Sequence, residues 1–184
     1  PRQGRGVGRR CVGKGETPVT GDCVGATTVR APEPHSAHVL GEIFDLIAEH
    51  DLVLAMGHSS PEEVLALIPE ARRRGVEHIL ITHGLGQQPS RDQIAEMVRQ
   101  GAVIELVWLA VHNGEFRLAE YTAAITEFGA SHFLLSSDFG QENNPLHTDG
   151  LKAFIAGLSQ EGISDADIDL MIRRNPARLL GLDP

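Results

Sequence analysis

Hydrophobic and polar residues follow two alternating patterns along this chain. Short apolar runs, typical of buried strands, occupy 52–56, 77–82, 102–108 and 132–137. Between them, apolar residues recur at the three- and four-residue spacing of an amphipathic helix, and a first such stretch covers 37–50. The pattern therefore predicts strands and helices in regular alternation.

Capping signals support these boundaries. The segments 60–63 (SPEE) and 90–93 (SRDQ) each place a serine three residues before Glu or Gln, which is the signature of a capping box. Further helices are predicted over about 115–128 and 149–160, and a last helix capped by Ser164 is expected to stop before Asn175-Pro176. The order predicts an α/β fold with parallel strands, equivalent to half of a (β/α)8 barrel or to a small doubly wound sheet.

Residues 1–36 have a different character. They are rich in glycine and proline, show no helical or strand period, and are predicted to form a loop or disordered head before a folded domain at 37–184. Six basic and two acidic side chains give residues 1–30 a net charge of +4. Because the whole chain has a net charge of −9, the remaining residues carry −13. An acidic body argues against nucleic-acid binding.

Cysteine content and hydropathy indicate the compartment in which the protein is expected to work. Two cysteines, Cys11 and Cys23, do not make a disulfide framework in a chain of 184 residues. No apolar run approaches the length of a membrane span, and the head has no apolar segment of the kind found in secretory signals. A cytoplasmic protein without membrane partners is the expectation.

Polar residues that can bind metal or move a proton follow three of the apolar runs. These are His58, His83 and Asp138. Since the carboxyl ends of parallel strands open onto one face, the three side chains are expected to converge there. Two imidazoles and a carboxylate suit zinc, whereas the simpler interpretation is that each residue only hydrogen-bonds its own loop.

Other polar or aromatic residues near these strand ends are weaker candidates. Glu105 lies inside an apolar strand, so it either supports the site from the barrel interior or is exposed on an edge strand. Trp108 either lines a pocket or belongs to the core. Gln141, Asn144 and His147 follow Asp138 and are predicted to contact a polar substrate.

These segments together resemble the C-terminal half of a metal-dependent hydrolase barrel of the amidohydrolase superfamily, and more narrowly an uncharacterised family of that group. The resemblance rests on 54–63 (LAMGHSSPEE), 81–83 (ITH), 136–141 (SSDFGQ) with Asn144-Pro145, and the closing 175–182 (NPARLLGL). It covers about 37–184.

The resemblance implies a site and a reaction. Counted back from the C-terminus, His58, His83 and Asp138 fall on the fifth, sixth and eighth strands, where that superfamily has two histidine ligands and an aspartate that is both ligand and general base. It implies a divalent metal, zinc above all, with manganese or iron as alternatives. The His-x-His pair of the first strand is absent from this chain.

Three functions follow as hypotheses. The first is a metal-dependent hydrolase of an amide, ester, lactone or similar bond, as a homo-oligomer or as a fragment lacking its N-terminal half. The second is a catalytically inactive, degenerate barrel that binds a partner. The third is a small flavodoxin-like domain that binds a phosphorylated ligand, for which Gly84-Leu85-Gly86 is the candidate phosphate loop.

Overall fold

The computed structural model describes the backbone of residues 34–182 and the side chains of 38–182. The predicted head at 1–36 therefore lies almost entirely outside the described residues. The helices are α1 (Pro34–Glu49), α2 (Pro61–Arg73), α3 (Arg91–Arg99), α4 (Trp108–His112), α5 (Leu118–Phe128), α6 (His147–Gln160), α7 (Asp165–Asp169) and α8 (Asn175–Leu179). The strands are β1 (Val53–Ala55), β2 (His78–Ile81), β3 (Val103–Val107) and β4 (Phe133–Ser136).

The strands of the described region form one parallel sheet in the order β1-β2-β3-β4. Each strand leads through at least one helix to its neighbour, so sequential strands lie side by side, as in a segment of a (β/α) barrel. The predicted α/β class with parallel strand–helix units is confirmed.

Both predicted capping boxes are present. The Ser60 side chain accepts the Glu63 N–H while the Glu63 carboxylate accepts the Ser60 N–H, and Ser90 and Gln93 repeat the arrangement. Each box satisfies two N–H groups that have no partner inside the helix, so each fixes where its helix begins. The helices α2 and α3 consequently begin directly after Ser60 and Ser90, as the sequence predicts.

The hydrophobic core lies between the helices and one face of the sheet. Alternate strand residues join the helical side chains in this core: Ile79, Ile81, Ile104, Leu106, Phe133 and Leu135. Phe44 on α1, Ile68 on α2 and Phe154 on α6 are almost completely buried against them. Because side chains alternate along a strand, the intervening residues face the opposite side, which corresponds to the interior face of a complete (β/α) barrel.

The chain around Asn175 differs from the prediction. The helix capped by Ser164 continues through a π-helical segment, Leu170–Arg174, directly into α8. Pro176 does not end the helix, and lies at the second residue of α8, directly after the π-helical segment. The buried Asn175 side chain instead donates to the carbonyls of Ala130 and Phe133, at 2.9 and 2.7 Å.

A second difference occurs at the end of β3. The apolar run 102–108 was predicted to be one strand, but the strand ends at Val107 and Trp108 begins the short helix α4. Neither a serine nor a proline marks this start, so sequence signals alone do not reveal it.

No helix in the described part of the chain is both long and apolar enough to cross a membrane.

Candidate functional site

Strand register brings two histidines side by side. Ala55 of β1 is aligned with Leu80 of β2, and His58 and His83 each lie three residues further along the chain. Their imidazole rings are stacked, with centroids 4.8 Å apart and an angle of 23° between the planes. Both rings therefore stand at the same point of the sheet's carboxyl edge.

Asp138 completes the group from the far strand. It lies two residues beyond the end of β4, and its Oδ2 is 3.8 Å from His83 Nε2. The three side chains line one cavity of about 230 Å³. The sequence prediction that they share one mouth agrees with this geometry, while their roles as metal ligands stay predictions.

A repeated backbone conformation accompanies this arrangement. Gly57, His83 and Asp138 each lie two residues beyond the last residue of a strand, and their φ angles are +59°, +49° and +53°. This left-handed region costs a residue with a Cβ about 1–2 kcal/mol, and such residues concentrate at functional sites. The chain thus adopts the same left-handed conformation two residues after three of the strands in the described region.

Glu105 supports the turn that carries His83. Its Oε2 accepts the backbone N–H of His83 at 3.1 Å, and its carbonyl accepts the N–H of Gly84 at 3.0 Å. Of the two sequence interpretations, exposure on an edge strand is wrong, because β3 is paired on both sides. The carboxylate contacts the backbone of His83, so it positions the turn.

Trp108 is not a wall of this cavity. Its ring centroid is 5.2 Å from that of Phe154, and it packs against the core. The start of α4 explains the difference, because the chain leaves the sheet before Trp108. Its role in substrate binding stays a prediction.

The loop residues beyond Asp138 are also outside the cavity lining. Gln141 and His147 are exposed, and the Asn144 side chain donates a hydrogen bond to that of Gln141. These two polar groups bond to each other in the loop that follows β4. Their predicted contact with a substrate, and that of His147, stays a prediction.

Two polar lining residues were missed by the sequence analysis, together with the apolar ones beside them. Gln87 and Glu115 contribute polar groups to the cavity, and Leu109, Ala110 and Phe116 contribute apolar surface. Gln87 directly follows the glycine-rich segment after His83, and this position in the sequence could have indicated that it lies near the site. Glu115 follows α4, and because α4 itself was not predicted, nothing marked Glu115 as a residue near the strand ends.

The described side chains do not by themselves form a complete metal centre. Among residues 38–182, no three His, Cys, Asp or Glu side chains are grouped closely enough to hold a metal ion. The stacked histidines and the 3.8 Å separation of His83 from Asp138 are the nearest arrangement to one.

Solved structures with a similar fold are amidohydrolases. Two crystal structures of an amidohydrolase from Burkholderia multivorans, one with bound HEPES and one with bound zinc, match with TM-scores of 0.54 and 0.53. Each is 12% identical, and the match covers 83% of this chain but 62% of that chain. The chain therefore has an amidohydrolase-like fold and spans less than two thirds of these neighbours.

The family follows from the sequence. The profile of DUF6282, described as a family of unknown function, matches residues 12–105, which is just over half of the chain. The chain belongs to this family. No curated protein matches it. The predicted likeness to an uncharacterised family with an amidohydrolase-like fold is thus confirmed at this level.

Proposed function

We propose that this chain provides the C-terminal part of a metal-dependent hydrolase site, with His58, His83 and Asp138 as its metal-binding residues. The single observation that carries the proposal is their convergence at one mouth, with stacked imidazoles and a carboxylate 3.8 Å from His83. The zinc bound in one structural neighbour supports the choice of metal.

The donor types suit a divalent ion, and two of the donors lie near the required spacing. Zinc binds imidazole nitrogen and carboxylate oxygen at about 2.0–2.2 Å, so two ligands of a tetrahedral site lie about 3.3 Å apart. The distance between His83 Nε2 and Asp138 Oδ2, 3.8 Å, is about half an ångström longer. A small side-chain rotation would close this gap, since both side chains are partly exposed. Manganese and iron are the alternative ions.

Each residue has a distinct role in this proposal. His58 and His83 hold the ion through neutral nitrogens, and Glu105 fixes the backbone turn that presents His83. When bound there, a divalent ion would polarise the bond to be cleaved and would lower the pKa of the attacking water. Asp138 accepts the proton of that water, as its carboxylate is exposed to the cavity and next to His83. The substrate is an amide, ester, lactone or similar bond.

Direct metal binding tests the proposal. Isothermal titration of the metal-free chain with zinc is expected to show binding that is lost in His58→Asn and His83→Asn. The matched control is His50→Asn, which removes an exposed histidine directly after α1. Zinc binding that is absent, or that is equal in all four proteins, would contradict the proposal.

One observation favours a second candidate, a non-catalytic barrel domain that binds a partner. The described residues lack a group of three metal-binding side chains, so the mouth is not a preformed metal centre. Under this alternative, His58 and His83 are held by their stacking alone, and zinc binds no more tightly to the wild type than to the His83→Asn variant.

A further inference from the structure

A second cavity adjoins the candidate site. It has a volume of about 440 Å³ and lies between the loop before α3, the start of α3 and helix α5. Its lining shares Glu115 and Phe116 with the cavity of His58, His83 and Asp138. These two residues therefore stand at the boundary between the candidate site and a groove that leads away from it.

Glu115 differs from the other carboxylates of this groove. Glu127 forms an ion pair with Arg91, and Glu120 accepts the backbone N–H of Arg117 at 2.8 Å with the Arg117 guanidinium 3.5 Å away. Among residues 38–182, Glu115 has no such cation and accepts only a 3.4 Å hydrogen bond from Asn113. Its negative charge is therefore available to a ligand.

The backbone at this position is fixed. The N–H groups of Glu115 and Phe116 both donate to the Ala110 carbonyl, at 2.9 and 3.1 Å. The Phe116 ring stacks on Tyr121 with centroids 5.5 Å apart, and the buried Tyr121 hydroxyl donates to the Val107 carbonyl at 3.1 Å. The backbone that carries this carboxylate and this aromatic ring is thus held in place, and both residues line both cavities.

We infer that Glu115 and Phe116 form a recognition point for an organic ammonium group. A carboxylate attracts such a group by charge, and the face of an aromatic ring attracts it through its quadrupole. Asp138 in the adjoining cavity adds to the negative potential, which favours cations over neutral or anionic ligands.

The inference extends to the substrate, and this part rests on the proposed function. A substrate whose cleaved bond lies at His58, His83 and Asp138 would place an ammonium-bearing arm against Glu115, with the remainder in the groove. The substrate class is accordingly an amide, ester or lactone that carries a positively charged amine.

Binding of a simple cation tests the recognition point without metal or turnover. Benzylamine, protonated at neutral pH, is titrated into the metal-free full chain and followed by NMR, with benzyl alcohol as the neutral probe of matched shape. We expect benzylamine to bind more tightly and to shift the signals of residues 115–116. Glu115→Gln should weaken benzylamine binding about fivefold and leave benzyl alcohol binding unchanged.

Two further variants complete the experiment. Glu161→Gln makes the same charge change at an exposed position outside both cavities and should behave as wild type. Phe116→Leu should weaken benzylamine binding by a smaller factor because it keeps apolar volume and loses the aromatic face. Equal binding of the two probes, or equal effects of Glu115→Gln and Glu161→Gln, would overturn the inference.

Zinc titration separates this inference from the proposed function. If Glu115→Gln abolishes zinc binding, the residue is a metal ligand and the recognition point is rejected. If zinc fails to bind the wild type while benzylamine binds through Glu115, the hydrolase proposal fails and the cation site stands.

Discussion

The imidazole rings of His58 and His83 stack at 4.8 Å although they belong to different strand–helix units. The parallel register of β1 and β2 sets this distance, because both histidines lie three residues beyond a pair of aligned residues. If the rings rotate out of the stack so that a nitrogen of each binds the same ion, as proposed above, their contributions to metal binding are interdependent.

A shared ion leads to a specific prediction for zinc binding by variants of the two histidines. If they share one ion, either single variant, His58→Asn or His83→Asn, should weaken zinc binding by more than the roughly 10–100-fold typical of outer partners. The double variant should then lose little more, because the site is already broken. Titration calorimetry of the four proteins checks this. Losses that simply add would mean that the histidines bind separate ions.

Glu105 is predicted to act through a hydrogen bond to the backbone. Glu105→Leu leaves the His83 N–H without its acceptor and should lower the free energy of unfolding by about 1–2 kcal/mol. Glu105→Gln keeps an acceptor oxygen and should recover most of that loss. Urea unfolding measures both variants. If the Gln variant is as unstable as the Leu variant, the negative charge matters and the hydrogen bond does not explain the role.

Asn175 is predicted to be important for stability. It is 3% exposed, and its amide nitrogen donates to two carbonyls that precede and begin β4. Asn175→Ala removes both donors and should cost about 2–3 kcal/mol in the free energy of unfolding. Asn143→Ala, at an exposed loop position, is the matched control and should change stability by less than about 0.5 kcal/mol. Similar unfolding midpoints for the two variants would contradict this role.

The buried phenol of Tyr121 is expected to make the folded protein less stable at high pH. Burial raises the pKa of this phenol to about 12, and the hydroxyl donates a hydrogen bond to the Val107 carbonyl. The unfolded chain releases the proton near its ordinary pKa of about 10, while the folded chain keeps it. Stability should therefore be fully present below pH 10 and fall by about 1–3 kcal/mol as pH rises to 12.

The titration of Tyr121 can be followed directly. It is the single tyrosine of the chain, so phenolate absorbance reports on it alone. Tyr121→Phe should remove this part of the pH dependence of unfolding. An alkaline loss of stability that is identical in the Phe variant would show that other groups cause it.

The elements of this fold are largely encoded locally. The capping boxes at Ser60 and Ser90 were read correctly because a cap depends on residues within one turn of the chain. The short helix that begins at Trp108 was missed because it has no side-chain cap, and Trp108 reads equally well as the end of an apolar strand. The expected stop at Pro176 failed because a proline in the first turn of a helix is indistinguishable in sequence from one that terminates a helix.

The sequence by itself determined the alternation of strands and helices, and with it the position of His58, His83 and Asp138 just beyond strand ends, because periodicity follows from local patterns. Only the tertiary structure decided which other groups surround them. Glu115 reaches the cavity through α4, Trp108 turns into the core, and Glu105 holds the His83 backbone. These contacts join residues that are distant in the chain, and packing across the sheet, which no local pattern records, fixes them.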